Sequence, residues 1–245
     1  MRTRTALVTG ASRGIGRQIA RRLAQEGYAL TVSARREPGL LDAADELRAF
    51  GAEIHIVVTN LADEHDARRL AAAHATRFDH LDLLVLAAGV GTRGSVAEMP
   101  MKLYDLTLTV NLRSQFLLIQ QTLPLLREAA ATAPLRGARI VALASITGVA
   151  GEPGLAAYAA GKAALISLCE TVTLEESSHH VTATAISPGF VDTDMTQWTH
   201  EALAREPMLT TDDVAELVLA LTRLSTHAVV PNIVLTRAGE RIWRP

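Results

Sequence analysis

The sequence predicts a doubly wound α/β fold, Rossmann-like in its winding, with one parallel sheet of about seven strands and helices on both faces. Three observations predict it. Short β-branched or apolar runs alternate regularly with longer helical patterns along the 245 residues. The runs are apolar throughout, as strands covered on both faces are. A glycine-rich turn joins the first run to the first helical pattern.

In chain order, the expected strands are Thr5–Thr9, Ala29–Ser33, Glu53–Val58, Leu83–Ala87, Arg139–Ala144, Thr182–Ser187 and Asn232–Leu235. The expected helices are Ile15–Glu26, Leu40–Phe50, Glu64–Phe78, Met101–Ala130, Leu155–Ser177 and Asp212–Leu224. The third helix opens on Asp63-Glu64 and the last on Asp212-Asp213, where carboxylates favour the positive end of the helix dipole. Ala71–Ala75 reads as ordinary helix, and His179-His180 as a solvated helix end. Two segments fall outside the alternation. Val191–Thr210 carries Met195, Trp198, Pro207 and Met208 with no strand pattern. A long connection at that end of a sheet reads as a substrate lid, with Trp198 or Met195 facing the pocket. The tail Arg237–Pro245 is polar apart from Trp243. No break in composition divides the chain, so residues 1–245 read as one domain.

Composition excludes several classes. With 49% hydrophobic and 20% charged residues, the chain is neither disordered nor fibrous. A net charge of −2 without a long basic run argues against nucleic acid as a partner. No apolar stretch is long enough to span a bilayer, and Ala6-Leu7-Val8 after Arg2 and Arg4 is too short for a signal peptide. The lone Cys169 fits a reducing compartment, and a cytoplasmic protein is expected. It reads as a small buried hydrophobe rather than a nucleophile. The eight histidines show no metal-ligand spacing, so no metal is expected.

Thr9-Gly10-Ala11-Ser12-Arg13-Gly14-Ile15-Gly16 joins the first strand to the first helix. Glycines let the backbone approach a pyrophosphate, and the helix N-terminus offers its free N–H groups to the charge. The second strand runs into Ser33-Ala34-Arg35-Arg36. A free ribose 2′-OH is usually met at this point by a carboxylate, which is absent; arginine instead suits a 2′-phosphate. Arg35, with Arg13 approaching the same group, therefore favours NADP over NAD.

Ser145 follows the fifth strand, Tyr158 lies thirteen residues later, and Lys162 one helical turn beyond. A nearby ammonium favours the phenolate and is expected to lower the tyrosine pKa, so that Tyr158 can exchange protons near neutrality. Ser145 can bond a substrate oxygen as charge develops on it. Lys162 is one of only two lysines in a chain that otherwise uses arginine, the other being Lys102.

These motifs, in this order, resemble the short-chain dehydrogenase/reductase superfamily over almost the full chain, and in particular members like the 3-oxoacyl-(acyl carrier protein) reductases. Thr9-Gly10-x3-Gly14-x-Gly16 is similar to the family's cofactor motif. Asn111, Ser145, Tyr158 and Lys162 fall where the family has its four catalytic residues. Pro188-Gly189-x3-Thr193-x-Met195 resembles the segment that holds the nicotinamide. The resemblance implies that Tyr158 protonates the carbonyl oxygen, Ser145 positions it, and Lys162 bonds the nicotinamide ribose. It implies too that Asn111 holds a water leading from Lys162 to solvent, and that Thr193 bonds the carboxamide. The implied NADP(H) contacts are Gly10, Ser12, Arg13, Gly14, Ile15, Gly16, Arg35, Asn60, Leu61, Ala88, Gly89, Tyr158, Lys162, Pro188, Gly189, Val191 and Thr193.

The chain departs from the family pattern in places. Leu86-Ala87-Ala88-Gly89 stands for the frequent Asn-Asn-Ala-Gly. Asn60 replaces an aspartate near the adenine, with an amide oxygen still able to accept. Gly161 replaces the usual serine before the lysine, and the chain runs to Trp243-Arg244-Pro245 instead of the frequent Asp-Gly-Gly ending. The function expected is NADPH-dependent reduction of a small carbonyl substrate, free or carrier-bound, by a homotetramer. The alternatives are a non-catalytic cofactor-sensing or scaffold protein of the same fold, against which the intact tetrad argues, and an epimerase or dehydratase. The latter usually has a larger C-terminal substrate region than the stretch that follows the seventh strand here.

Overall fold

A computed structural model describes residues 2–199 and 208–238, the side chains of 197–199 excepted. Its seven strands are β1 (Thr5–Thr9), β2 (Ala29–Ala34), β3 (Ile54–Val58), β4 (Leu83–Leu86), β5 (Ala138–Leu143), β6 (Val181–Pro188) and β7 (Asn232–Leu235). They form one sheet in the order β3-β2-β1-β4-β5-β6-β7, and every pairing is parallel. Winding reverses between β1 and β4, so a crevice opens at their carboxyl ends, where such folds bind ligands.

The helices are α1 (Gly14–Gln25), α2 (Glu37–Arg48), α3 (Glu64–Arg77), α4 (Met101–Leu108), α5 (Ser114–Thr132), α6 (Ala156–Glu176) and α7 (Thr211–Arg223). Strand side chains alternate between two cores. Ala6, Val8, Val85 and Val141 join Ile19 and Leu23 of α1, Leu40 and Leu47 of α2, and Val214 and Val218 of α7. Leu7, Leu84, Leu86 and Ile140 join Leu70 of α3, Leu118 and Leu126 of α5, and Leu165 and Cys169 of α6. Leu84 is fully buried. Truncating such a leucine to alanine costs about 2–5 kcal/mol.

Two expected helices are redrawn. α2 begins at Glu37 rather than Leu40, because Pro38 is tolerated in a first helical turn where no N–H bond is needed. The single helix expected over Met101–Ala130 is α4 and α5 joined by a π turn, Thr109–Arg113. A π turn inserts an extra residue and often marks a functional position. Here it carries Asn111, whose amide is bound to the backbone of Val90 across the fold. α3 is capped by the Asp63 side chain, and α7 by a reciprocal box between Thr210 and Asp213.

The segment following β6 is pinned at its base. Val191 bridges Leu209, Asp192 N–H donates to Leu209 O at 2.9 Å, and Leu209 N–H to Phe190 O at 3.0 Å. Between these ends, Asp194–Thr199 forms a short 3-10 helix. The side chain of Trp198, residues 200–207 and Trp243 lie outside the described part, so the expectation for Trp198 does too. No described helix is long and apolar enough to cross a membrane. Among the described residues no cluster of His, Cys, Asp or Glu has the makings of a metal site.

Candidate active site

The crevice is a cavity of about 820 Å³ running from the α1 N-terminus to the segment after β6, large enough for a dinucleotide beside a small substrate. All the residues expected to contact the cofactor line it. Of the expected tetrad, Ser145, Tyr158 and Lys162 line it as well, while Asn111 lies fully buried behind Gly89.

The glycine turn is shaped by contact. Gly10 has φ +69°, and a Cβ there would lie 3.0 Å from the Ala88 backbone. A Cβ on Gly16 would lie 2.4 Å from Gly10 O. Neither position tolerates a side chain. Helix α1 starts without a side-chain cap and without an acid in its first turn. Its terminal N–H groups and the positive end of its dipole thus face the cavity. The residues present fit a nicotinamide dinucleotide on this ground. Arg35 and Arg36 are exposed at the other side of the turn, with no ion pair among the described residues. Arg13, expected to approach the same phosphate, lines the cavity and pairs with Asp194 at 2.7 Å, an exposed bridge from the glycine turn to the segment after β6. Asn60 lines the cavity, and its amide oxygen accepts from the N–H of Ala62 at 3.2 Å in a local turn, which leaves it a second lone pair. Thr193 faces Gly14, whose Cβ would lie 3.4 Å from its methyl group.

At the carboxyl end of β5, Ser145 caps a 3-10 turn, Ile146–Gly148. Its Oγ accepts from the N–H of Thr147 at 3.2 Å and lies 3.0 Å from Thr147 Oγ1. Those contacts fix the Ser145 rotamer. Tyr158 comes from the first turn of α6. Burial raises its pKa, and a hydrogen bond with Ser145 works in the opposite direction. Lys162, one turn on, is buried; its Nζ donates to Leu143 O at 2.5 Å and sits 5.6 Å from the Tyr158 ring centre. Burial lowers its pKa to about 8. The expectation that Lys162 would lower the tyrosine pKa is therefore corrected. Desolvation dominates both groups, and the lysine's charge is directed to a β5 carbonyl.

Asn111 donates from Nδ2 to Val90 O and accepts at Oδ1 from Val90 N–H, each at 2.9 Å. Its side chain thus holds the loop after β4. Three contributors were not singled out from the sequence, and one motif residue has a role its spacing does not show. Thr9 Oγ1 accepts from the N–H groups of Ala87 and Ala88, tying the glycine turn to that loop. Thr147 orients Ser145, and Gln115 reaches the same loop from α5. Phe190 lines the substrate end. Thr147 and Phe190 lie beside or within motif segments, which is the only signal the sequence offered for them, and Gln115 carries none.

Comparison with known proteins gives consistent matches. The family model described as short chain dehydrogenase matches residues 4–204. The 3-oxoacyl-(acyl-carrier-protein) reductase FabG of Staphylococcus aureus is 36% identical over 241 residues, spanning 98% of this chain and 92% of that protein. The 3-oxoacyl-(acyl-carrier-protein) reductase of a Synechocystis species is 34% identical over 205 residues, 83% of this chain and 79% of its own length. Among solved structures, an actinorhodin polyketide ketoreductase with NADPH superposes with a TM-score of 0.86 at 30% identity, over 96% of this chain and 95% of that one. An alcohol dehydrogenase from the archaeon Thermococcus sibiricus, complexed with 5-hydroxy-NADP, gives 0.86 at 26% identity, over 98% and 99%.

Proposed function

Since the chain belongs to the short-chain dehydrogenase family, we propose a mechanism in which Tyr158 is the acid–base of a carbonyl reduction. The protein is an NADP(H)-dependent oxidoreductase acting on a ketone/secondary alcohol pair. The observation that carries the mechanism is the meeting of Ser145 and the Tyr158 hydroxyl at the carboxyl end of β5, beside a buried lysine. When bound, NADPH supplies hydride to the carbonyl carbon. Tyr158 delivers its phenolic proton to the oxygen, and its raised pKa keeps that proton in place at neutral pH. Ser145 is already fixed by Thr147, so it can direct its own hydroxyl at the same oxygen. Lys162, 5.6 Å from the Tyr158 ring centre and held by Leu143 O, would bond the nicotinamide ribose. Asn111 shapes the loop that walls this space through Val90.

The glycine turn and α1 N-terminus hold the pyrophosphate, Arg35 the 2′-phosphate, and Thr193 with Pro188-Gly189 the nicotinamide end. Asn60 and Leu61 border the adenine. The substrate is a 3-oxoacyl thioester, free or carried on an acyl carrier. Support comes from the similarity to FabG and from the apolar lining of Val90, Ile146, Leu155, Phe190 and Met195 beyond the catalytic groups. Residues 191–210 act as a lid hinged at the Val191–Leu209 bridge, with Met195 facing the pocket; a Cβ on Gly91 across the cavity would lie 3.6 Å from its side chain. Residues 1–245 act as a single domain.

The assembly is a cytoplasmic homotetramer. Half-exposed Leu103, Leu106 and Phe116, and the shallow apolar hollow between α6 and the α4–π turn–α5 stretch, support an interface there. Light scattering that finds a monomer at micromolar concentration rejects it. The reaction is tested with a panel of ketones and 3-oxoacyl thioesters, NADPH and the Tyr158→Phe variant. Turnover of a thioester should fall about 10²-fold or more in the variant, with NADPH binding retained. Near-normal turnover would move the proton to water or to another residue.

A further inference from the structure

We infer that Gln115 is a positioning residue, one that locks the cofactor-side loop after β4 to the π turn that carries Asn111. Gln115 is the second residue of α5 and is 1% exposed. Its Nε2 donates to Val110 O at 2.9 Å and to Ala88 O at 3.2 Å. Only the NH₂ end of an amide can serve two carbonyls at once, so the orientation is determined by its partners. Val110 is the residue before Asn111, inside the π turn, and its carbonyl also accepts from Ser114 Oγ at 2.8 Å. Ala88 is the residue whose backbone walls Gly10, and a Cβ on the Gly89 that follows it would lie 3.2 Å from Asn111 Oδ1 and 3.6 Å from Lys162 Nζ. One side chain therefore ties together the two strips of backbone that frame the glycine turn and the catalytic lysine. The opposite end of the amide, Oε1, is buried with no partner among the described residues. An unpartnered buried acceptor lowers stability, so packing alone would favour an apolar side chain here. The position is occupied for what its two N–H groups hold. This loop is also where the sequence runs Leu86-Ala87, so no side-chain amide of its own is available to brace it.

The binding arm of the test rests on the NADP(H) reading above; the exchange arm does not. Gln115→Met keeps the length and removes both donors. In cofactor-free protein, amide exchange of the segment 86–91 should quicken about fivefold or more, while β1 and β5 stay as protected as before. NADPH, followed by its own fluorescence, should bind about fivefold or more weakly. Gln115→Glu gives a signature that a filler residue would lack. Protonated, the carboxyl offers one O–H to a carbonyl; ionised, it offers none. Protection of 86–91 in Gln115→Glu should thus recover as pH falls, relative to wild type, while the Met variant shows no such recovery. Exchange in Gln115→Met within twofold of wild type overturns the inference, whether or not its melting temperature changes, and decides the matter alone if the Glu variant does not fold. A wild-type protein that binds no NADPH would instead overturn the proposed function and leave the exchange result to decide on Gln115.

Discussion

Replacing Lys162 with methionine should stabilise the protein while disabling it. Lys162 is 4% exposed, and burial takes its pKa from 10.5 to about 8. At 1.36 kcal/mol per unit, that drop sets about 3 kcal/mol against the charged form in the fold. Lys162→Met removes this cost but leaves Leu143 O, now its partner at 2.5 Å, unbonded, at about 1–3 kcal/mol. A net gain of about 1 kcal/mol remains near pH 7, or roughly 2–4 °C in Tm for a chain of this size. The pH dependence is the sharper readout. A folded-state pKa below the unfolded one means that the unfolded chain binds the proton more tightly. Wild-type stability should then rise with pH between about 8 and 10.5. The methionine variant lacks that rise, so its advantage should shrink and change sign across the same window. Calorimetry of the two cofactor-free proteins at pH 7 and pH 10 measures it. A Tm difference that is constant over this range would refute the reasoning, and would mean that the lysine is solvated in the native state.

Three further outcomes follow from the site. Arg35→Ala should weaken NADPH binding about tenfold while sparing NADH, because a charge-assisted phosphate contact contributes about 1.5–3 kcal/mol; equal losses for both cofactors, read by titration, would remove Arg35 from the 2′-phosphate. Asp194→Asn releases Arg13, and should tighten NADPH by about two- to fivefold with NADH unchanged, the modest scale of an exposed pair; a weakened NADPH affinity would show that the pair serves the closed cleft instead. Thr147→Val removes one of the two groups that orient Ser145 Oγ, and should lower kcat by about fivefold with little change in cofactor affinity, measured under saturating NADPH.

Much of the site was legible because its parts are local. Gly10 and Gly16 can be assigned to a turn from spacing alone, and the contacts that exclude a Cβ at both positions agree. Tyr158 and Lys162 share a helix face by arithmetic, and both line the cavity. The four-residue interval says nothing about where the ammonium points, and it points at a β5 carbonyl. Nothing local to Arg13 shows that Asp194, 181 residues away, is brought beside it. Asn60 offers an acceptor on paper, and only the structure shows that a turn two residues long already shares it.

The sequence alone determined the alternation of strands and helices, the parallel sheet, the glycine turn at the head of α1 and the side chains proposed to react. These depend on periodicity, glycine conformation and functional-group chemistry within a few residues. Tertiary structure alone decided the π turn at Thr109–Arg113, the desolvation that moves Tyr158 and Lys162 in opposite directions, and the clasps made by Gln115, Thr9 and Asp194. Each of these arises where segments distant in the chain exclude water from one another or share a hydrogen bond. The energy of such a contact belongs to the pair, so no local pattern on either segment reveals it.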